Sequence, residues 1–145
     1  MLSAGVDTWR TPALIDTGAP RTVFDRGAAD ALDLDLSDQS RRRLHFLAGR
    51  ELWAVPVHVS LTLPPFDDLT WETEVDFLLV DTEDWQLPFG LLGQMGFLDR
   101  WVVTFNRYRN YFVVQSVDDF EQRLPIDPFE EFQRQWDGWD RPLGS

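Results

Sequence analysis

The segment around Asp16 constrains the fold of this chain more than any other. An apolar run containing Leu14 and Ile15 ends at the tripeptide Asp16-Thr17-Gly18, and a second apolar run follows it. Bulky apolar residues before a glycine turn predict a strand, buried on both faces, that opens into a tight loop. A carboxylate there is costly to bury unless hydrogen-bond donors hold it. One such arrangement is an Asx-turn, in which Asp16 bonds to nearby amides and has no further role.

A second glycine-containing apolar segment lies far downstream of Asp16. It reads Phe89-Gly90-Leu91-Leu92-Gly93-Gln94-Met95-Gly96-Phe97-Leu98, and the strand-like stretch Trp101-Val102-Val103-Thr104-Phe105-Asn106 comes after it. Together with Leu14 to Phe24, these segments resemble the retropepsin-like aspartic proteases, and the last stretch is similar to a strand of the bacterial, single-domain members. The resemblance covers residues 10–115.

The resemblance implies a mostly β fold, a retropepsin-like (acid protease) closed barrel of one lobe. Short helices would follow the Asp-Thr-Gly loop and the Leu-Leu-Gly motif. The protease domain would span residues 1–115, and residues 116–145 would form a C-terminal helical extension and tail. Residues 1–10 offer only a short strand where the family has a complete one.

The residue pattern independently predicts several elements. Asp25 is suited to cap a helix over residues 25–34. Apolar residues alternate between Val55 and Leu63, which predicts a strand over residues 51–63, paired with a strand before it around a glycine turn. A further strand is predicted over residues 71–81.

The resemblance also implies the site residues. Asp16, Thr17 and Gly18 would form the catalytic loop. The positions implied in or behind the substrate site are Ala19, Ala48, Gly49, Trp53, Leu91 and Leu92. Gly49 would lie at the tip of a flap over bound peptide, and Trp53 would cover an apolar substrate side chain. A plain hairpin with Trp53 in the core remains the alternative.

Hydrolysis in this class uses two carboxylates that share one proton, because like charges at close range cannot both ionise. The chain has one Asp-Thr-Gly, and the nearest other acids, Asp76, Asp81 and Asp99, are not followed by Thr or Ser and then Gly. The resemblance therefore implies a homodimer in which two copies of Asp16 form one site. The alternatives are a catalytically inactive module that binds a peptide or protein, and a monomer that is active only with a partner.

One departure from the family concerns an ion pair. Retroviral members often carry an Arg after the Leu-Leu-Gly motif that pairs with an acid just beyond Asp-Thr-Gly-Ala. This chain has Gln94 at the first position and Arg21 at the second, so that pair is missing.

Composition narrows the range of functions. With no Cys, disulfides, thiolate ligands and a cysteine nucleophile are excluded. The net charge of -12 disfavours nucleic acid and anionic membranes as partners. His45 and His58 lack further ligands at metal spacing, so neither a metal nor another cofactor is predicted. No apolar stretch is long enough to span a membrane, and a soluble cytoplasmic protein acting on a peptide or protein substrate is expected.

The C-terminal region carries a predicted helix over residues 128–136. Phe129, Phe132 and Trp136 fall on one stripe of it. The stripe would dock on the domain's own sheet or, alternatively, on a dimer mate or another partner.

Overall fold

The computed structural model describes residues 1–37, 40–45, 51–64, 66–80, 87 and 89–122, and this part is mostly β, as predicted. The chain divides into two compact units, Met1–Asp99 and Arg100–Ser145. The first unit contains β1 (Leu2–Ala4), β2 (Asp7–Trp9), β3 (Ala13–Ile15), β4 (Val23–Phe24), α1 (Arg26–Ala31), β5 (Arg42–His45), β6 (Glu51–Leu63), β7 (Phe66–Leu78) and β8 (Gly90–Leu92). The second contains β9 (Trp101–Asn106), β10 (Tyr111–Ser116) and α2 (Val117–Glu121).

One eight-stranded sheet organises the first unit. Its strand order is β2-β1-β6-β7-β4-β8-β3, and β5 pairs with another part of β6. The path ends at β2 and at β3, and no pairing joins these two strands within the ranges given above. The closed barrel expected from the sequence is therefore not found in this part of the chain, where the sheet is open.

The long hairpin of β6 and β7 forms the middle of the sheet. The alternation in β6 predicted this strand correctly, and Val55, Val59 and Leu61 are buried. The strands pair antiparallel from Ala54↔Leu78 to Leu63↔Phe66. Because pairing with β6 continues this far, β7 begins before the predicted start at residue 71.

The strand that precedes Asp16 is more exposed than predicted. β3 pairs in parallel with β8 and is the last strand on the sheet path. Leu14 is 50% exposed. The prediction of a strand buried on both faces was wrong, because within the described residues β3 lies at an edge of the sheet.

The position of β8 brings the two sequence motifs together. β8 is hydrogen-bonded to β3 on one side and to β4 on the other. The loop of residues 16–22, which joins β3 to β4, must therefore pass the end of β8. The residues that leave β8, from Gly93 to Asp99, emerge beside this loop, and we call them the segment after β8.

The N-terminal residues form more than the single short strand expected. β1 and β2 make a small antiparallel hairpin, and β1 also pairs with β6. Its turn contains Gly5 at φ +60°, a backbone conformation that glycine adopts without steric cost.

Of the two predicted short helices, one is present. Asp25 caps α1, and its side chain accepts a hydrogen bond from the N–H of Ala28 at 2.9 Å. After the Leu-Leu-Gly motif the chain forms consecutive turns over residues 94–100 in place of a helix. Gly96 has φ +93°, which a right-handed helix does not accommodate.

The second unit contains an antiparallel hairpin of β9 and β10, followed by α2. Phe105 and Phe112 pair across the strands with ring centroids 6.1 Å apart. The predicted helix with Phe129, Phe132 and Trp136 lies outside the described residues, and the division at residues 115 and 116 stays a prediction. None of the described helices has the length and apolarity needed to cross a membrane.

Candidate active site

Asp16 begins the loop of residues 16–22, which we call the aspartate loop. The N–H of Asp16 donates to the carbonyl of Leu92 at 3.0 Å, which continues the β3–β8 pairing by one residue. Its Oδ1 accepts a hydrogen bond from the N–H of Gly18 at 2.9 Å. This is the Asx-turn that the sequence offered as one way to hold the carboxylate, and it fixes the direction of the partly buried side chain.

The rest of the aspartate loop is bonded to the segment after β8. The carbonyl of Ala19 accepts from the backbone N–H of Gln94 at 2.9 Å, and the carbonyl of Pro20 accepts from Met95 at 3.1 Å. The side chain of Gln94 donates from Nε2 to the carbonyl of Thr17 at 3.0 Å. Each of the five residues from Asp16 to Pro20 therefore has a backbone group in a hydrogen bond, although Thr17 and Gly18 are exposed.

Gly93 is required by the close approach of these two segments. A Cβ at this position would lie 2.3 Å from the carbonyl oxygen of Arg21 and 2.7 Å from that of Ala19. Both are backbone atoms, so no side-chain movement would relieve the contact. The glycine in the second motif thus allows the chain after β8 to pass directly against the aspartate loop.

Thr22 is the last residue of the aspartate loop, and the sequence did not identify it as a residue of the site. It is 1% exposed, and its Oγ1 accepts a hydrogen bond from the N–H of Gly93 at 3.1 Å. Its backbone N–H donates to Met95, and its carbonyl accepts from Asp76, at 2.9 and 3.0 Å. Its place directly before the apolar pair Val23-Phe24 was the only sequence signal for this position.

Four charged side chains meet beside the aspartate loop, and we call Arg21, Arg42, Glu74 and Asp76 the charge cluster. Arg21 donates from Nε to Asp76 at 2.7 Å and from Nη2 to Glu74 at 2.6 Å. Arg42 contacts the same two carboxylates, at 2.9 Å for Glu74 and 3.4 Å for Asp76. The cluster balances two positive and two negative charges, and Asp76 within it is 0% exposed.

Arg21 therefore forms an ion pair with Asp76 that the resemblance to the retroviral enzymes did not predict. The signal that could have found it is Asp76, a single acid inside the apolar run of residues 75–80, because a buried carboxylate requires a cation or donors. Burial raises the pKa of Asp76, against the opposing charges of Arg21 and Arg42. Partial desolvation also acts to raise the pKa of Glu74, but Arg42 and Arg21 outweigh it, and the pKa of Glu74 is lowered.

The candidates for a second carboxylate in the same chain are engaged elsewhere. Asp76 is buried within the charge cluster. Asp99 accepts a hydrogen bond from the N–H of Gly96 at 3.0 Å and so stabilises the turn after the second motif. Asp81 lies outside the described residues.

The hairpin of β5 and β6 is the predicted flap. Its predicted tip, with Ala48 and Gly49, lies outside the described residues. Trp53 is 48% exposed, so the alternative that places it in the core is wrong. The guanidinium of Arg43 lies 5.1 Å from the centre of the Trp53 ring, which is within the range of a cation–π contact.

The other residues considered from the sequence differ in how deeply their side chains are buried. Leu91 and Leu92 are 9% and 5% exposed, so their side chains pack inside the first unit behind the aspartate loop. Such burial agrees with a supporting role and not with direct contact to a substrate. His45 and His58 are exposed, and the described residues contain no group of three side chains suited to hold a metal ion.

Comparison with known proteins agrees with this geometry. The family model described as "Aspartyl protease" matches residues 4–95, a range that contains the aspartate loop, the charge cluster and the first three residues after β8. No curated protein and no solved structure matches the chain.

Proposed function

Because the chain belongs to the aspartyl protease family, we propose that it is a retropepsin-like endopeptidase whose active site is shared between two identical chains. Asp16 would be the catalytic residue, and each chain would supply one copy of it. The observation that carries this proposal is the aspartate loop, in which Asp16 is held by its bond to Leu92 and by the Asx-turn, while the following loop residues are bonded to Gln94 and Met95.

A second copy of the chain would supply the second catalytic carboxylate. The sequence holds one Asp-Thr-Gly, and the described alternatives, Asp76 and Asp99, are bound to other partners. A two-fold axis beside the loop would bring two copies of Asp16 together without any further motif. The exposed position of Thr17 supports a contact with the loop of the second copy.

The reaction follows from two carboxylates that share one proton. The ionised Asp16 accepts a proton from a water molecule, and the water oxygen bonds to the carbonyl carbon of the peptide. The protonated Asp16 of the other copy donates its proton to the carbonyl oxygen, giving a neutral tetrahedral intermediate. When the intermediate collapses, the Asp16 that took the water's proton donates it to the amide nitrogen, and the other Asp16 takes a proton from a hydroxyl of the intermediate. The C–N bond breaks, an amine and a carboxylic acid are released, and the two carboxyl groups again share one proton.

Substrate would bind in an extended conformation between the aspartate loops and the flap hairpins. An extended peptide is bound through its main chain, and its alternate side chains enter pockets. Exposed Trp53 on β6 supports a flap role, since it offers apolar surface at the hairpin. The open sheet of residues 1–99 would then be one lobe of a two-lobed enzyme.

The experiment that tests this proposal combines mass in solution with cleavage. Light scattering gives the mass of the wild type, Asp16→Asn and Asp25→Asn, and the same samples are assayed against a peptide library. Asp25→Asn makes the same chemical change nearby, and asparagine still caps α1. We expect dimers throughout, with cleavage lost in Asp16→Asn alone.

Two results would contradict the proposal. Undiminished cleavage by Asp16→Asn would remove Asp16 from the chemistry. A wild type that is strictly monomeric and cuts nothing would refute the symmetric site for this chain. It would favour a module that binds peptides without cleaving them, with Asp16 serving its Asx-turn only.

A further inference from the structure

The charge cluster takes no part in the proposed chemistry, yet it joins three elements of the first unit. Arg21 belongs to the aspartate loop, Arg42 to β5, and Glu74 with Asp76 to β7. Charged side chains are rarely buried unless paired, and Asp76 is fully buried. Its position beside the loop suggests a role beyond stability.

Stability alone is a weak reason for such a cluster. Replacing a buried ion pair by apolar residues of similar volume is often neutral or stabilising, whereas removal of one partner is strongly destabilising. An ion pair that contains arginine also fixes the relative orientation of the elements it joins, because a guanidinium forms directional hydrogen bonds to two acceptors. The cluster therefore fixes directions that an apolar contact would leave free.

The geometry of Arg21 shows which directions are fixed. Its Nε and Nη2 bond to carboxylates on two residues of β7 that face the same side, Asp76 and Glu74. Its carbonyl group borders Gly93. The side chain of Arg21 is thus bound to β7, and its backbone lies against the segment after β8. Both contacts hold the end of the aspartate loop opposite Asp16.

Arg42 extends the same connection to the flap hairpin. It contacts Glu74 and Asp76 from β5, and its backbone neighbour on β6 is Ala54. The next pair along the hairpin is Arg43 with Trp53. Arg42 hydrogen-bonds to Glu74 and is ion-paired to Asp76, so the aspartate loop and the hairpin that carries Trp53 are joined through the same two carboxylates.

We infer that Arg21 and Asp76 are positioning residues that orient the aspartate loop, and that Arg42 orients the flap hairpin relative to it through the same cluster. For its catalytic part the inference rests on the proposed protease function. Its structural part concerns the loop alone and does not require that the chain cleaves anything.

The structural part is tested by amide hydrogen exchange on Arg21→Met, Asp76→Asn and the double variant Arg21→Met/Asp76→Leu. The double variant replaces the pair with apolar groups, so its Tm is expected to recover relative to the single variants. The amides of Gly18 and Ala19 should nevertheless exchange about tenfold faster than in the wild type in all three. Arg26→Met, which removes an exposed ion pair to Asp30 on α1, should leave these rates unchanged.

The catalytic part is tested on the same proteins, at a temperature well below the Tm of each. We expect kcat to fall about 100-fold in the Arg21 and Asp76 variants, including the double variant, with KM nearly unchanged, because a small misplacement of the catalytic group is costly. Arg21→Lys should recover part of kcat, since a lysine retains a charge but not the fork. Arg42→Met should instead raise KM, because Arg42 acts on the hairpin.

The outcomes separate the inference from the proposed function. Wild-type exchange rates at Gly18 and Ala19 in Arg21→Met would overturn the inference, whether or not the wild type cleaves peptides. Recovery of both Tm and kcat in the double variant would also overturn it, because the cluster would then be structural only. A wild type without cleavage, but with the expected exchange at Gly18 and Ala19, would contradict the protease proposal and leave the positioning of the loop supported.

Discussion

The hydroxyl of Thr22 accepts a hydrogen bond from the backbone N–H of Gly93 at 3.1 Å, and Thr22 is 1% exposed. The bond joins the end of the aspartate loop to the start of the segment after β8. Because Thr22 is buried, the N–H of Gly93 has no water to replace this acceptor. Thr22 also hydrogen-bonds through its backbone to Met95 and Asp76. It therefore joins the aspartate loop to the segment after β8 and to β7.

Thr22→Val should therefore loosen the contact between the two sequence motifs. Valine keeps the shape of threonine but leaves the N–H of Gly93 unpaired, which costs about 1–3 kcal/mol in unfolding free energy. Hydrogen exchange gives the specific readout. The amide of Gly93 should exchange faster in Thr22→Val, whereas Thr22→Ser, which keeps the hydroxyl, should retain its protection. Equal protection in both variants would contradict the role assigned to this bond.

A matched pair of glycine substitutions tests the close approach at Gly93. In Gly93→Ala the new Cβ meets the carbonyl oxygen of Arg21 at 2.3 Å, so the loop must shift, and we expect a loss of about 1–3 kcal/mol together with most of the cleavage activity. Gly27 lies within α1, and in Gly27→Ala the atom nearest to the new Cβ is Oδ1 of Asp25 at 3.7 Å, an ordinary contact. That substitution should raise stability by about 0.5–1 kcal/mol. Urea denaturation of both variants measures the contrast, and a stable, active Gly93→Ala would refute it.

Much of the fold could be predicted because it depends on local patterns. The alternation in residues 51–63 predicts β6, and Asp25 before an alanine-rich stretch predicts α1. The Asx-turn at Asp16 was also predictable, since it involves residues only two apart. The resemblance to the retropepsin-like proteases linked the segment from Phe89 to Leu98 with the loop of Asp16. In the structure the two segments are hydrogen-bonded to each other.

What could not be predicted depends on contacts between distant residues. The exposure of Leu14 follows from the place of β3 at the edge of the described sheet, which its own sequence does not encode. The ion pair of Arg21 joins residues 55 positions apart in the chain. The helix expected after Gly93 is replaced by turns because Gly96 adopts a positive φ beside Thr22.

Trp53 provides a prediction that separates substrate binding from stability. Its side chain is half-buried, so Trp53→Ala should lower the unfolding free energy by about 1–2 kcal/mol, and KM is therefore measured well below the Tm of the variant. If the hairpin covers bound peptide, the loss of this ring should raise KM by about tenfold or more for peptides with apolar side chains, since burying one aromatic ring is worth at least about 1.5 kcal/mol. Trp9→Ala removes a tryptophan of similar exposure, 42%, from β2 and is the control. Equal effects of the two variants on KM would rule out a flap role for Trp53.

The charge cluster makes the stability of the protein depend on pH in two opposite ways. Burial raises the pKa of Asp76, so the contribution of Asp76 to stability is lost as the pH rises through that raised value. Desolvation also opposes the ionisation of Glu74, but the bonds and charges of Arg42 and Arg21 prevail and lower its pKa below the ordinary 4.5. The contribution of Glu74 is therefore present above pH 4.5 and is lost as the pH falls through the lowered value.

Comparison of the wild type with Glu74→Gln measures the second effect, together with the part of the raised pKa of Asp76 that is due to the charge of Glu74. The glutamine cannot ionise, so the difference in unfolding free energy between the two proteins measures what the charge of Glu74 contributes. We expect the wild type to be the more stable by a constant amount at neutral pH, and the difference to shrink once the pH falls below 4.5. Urea denaturation at a series of pH values gives this curve. A difference that stays constant into strong acid, or that grows there, would show that the arginines do not stabilise the ionised form of Glu74 in the folded protein.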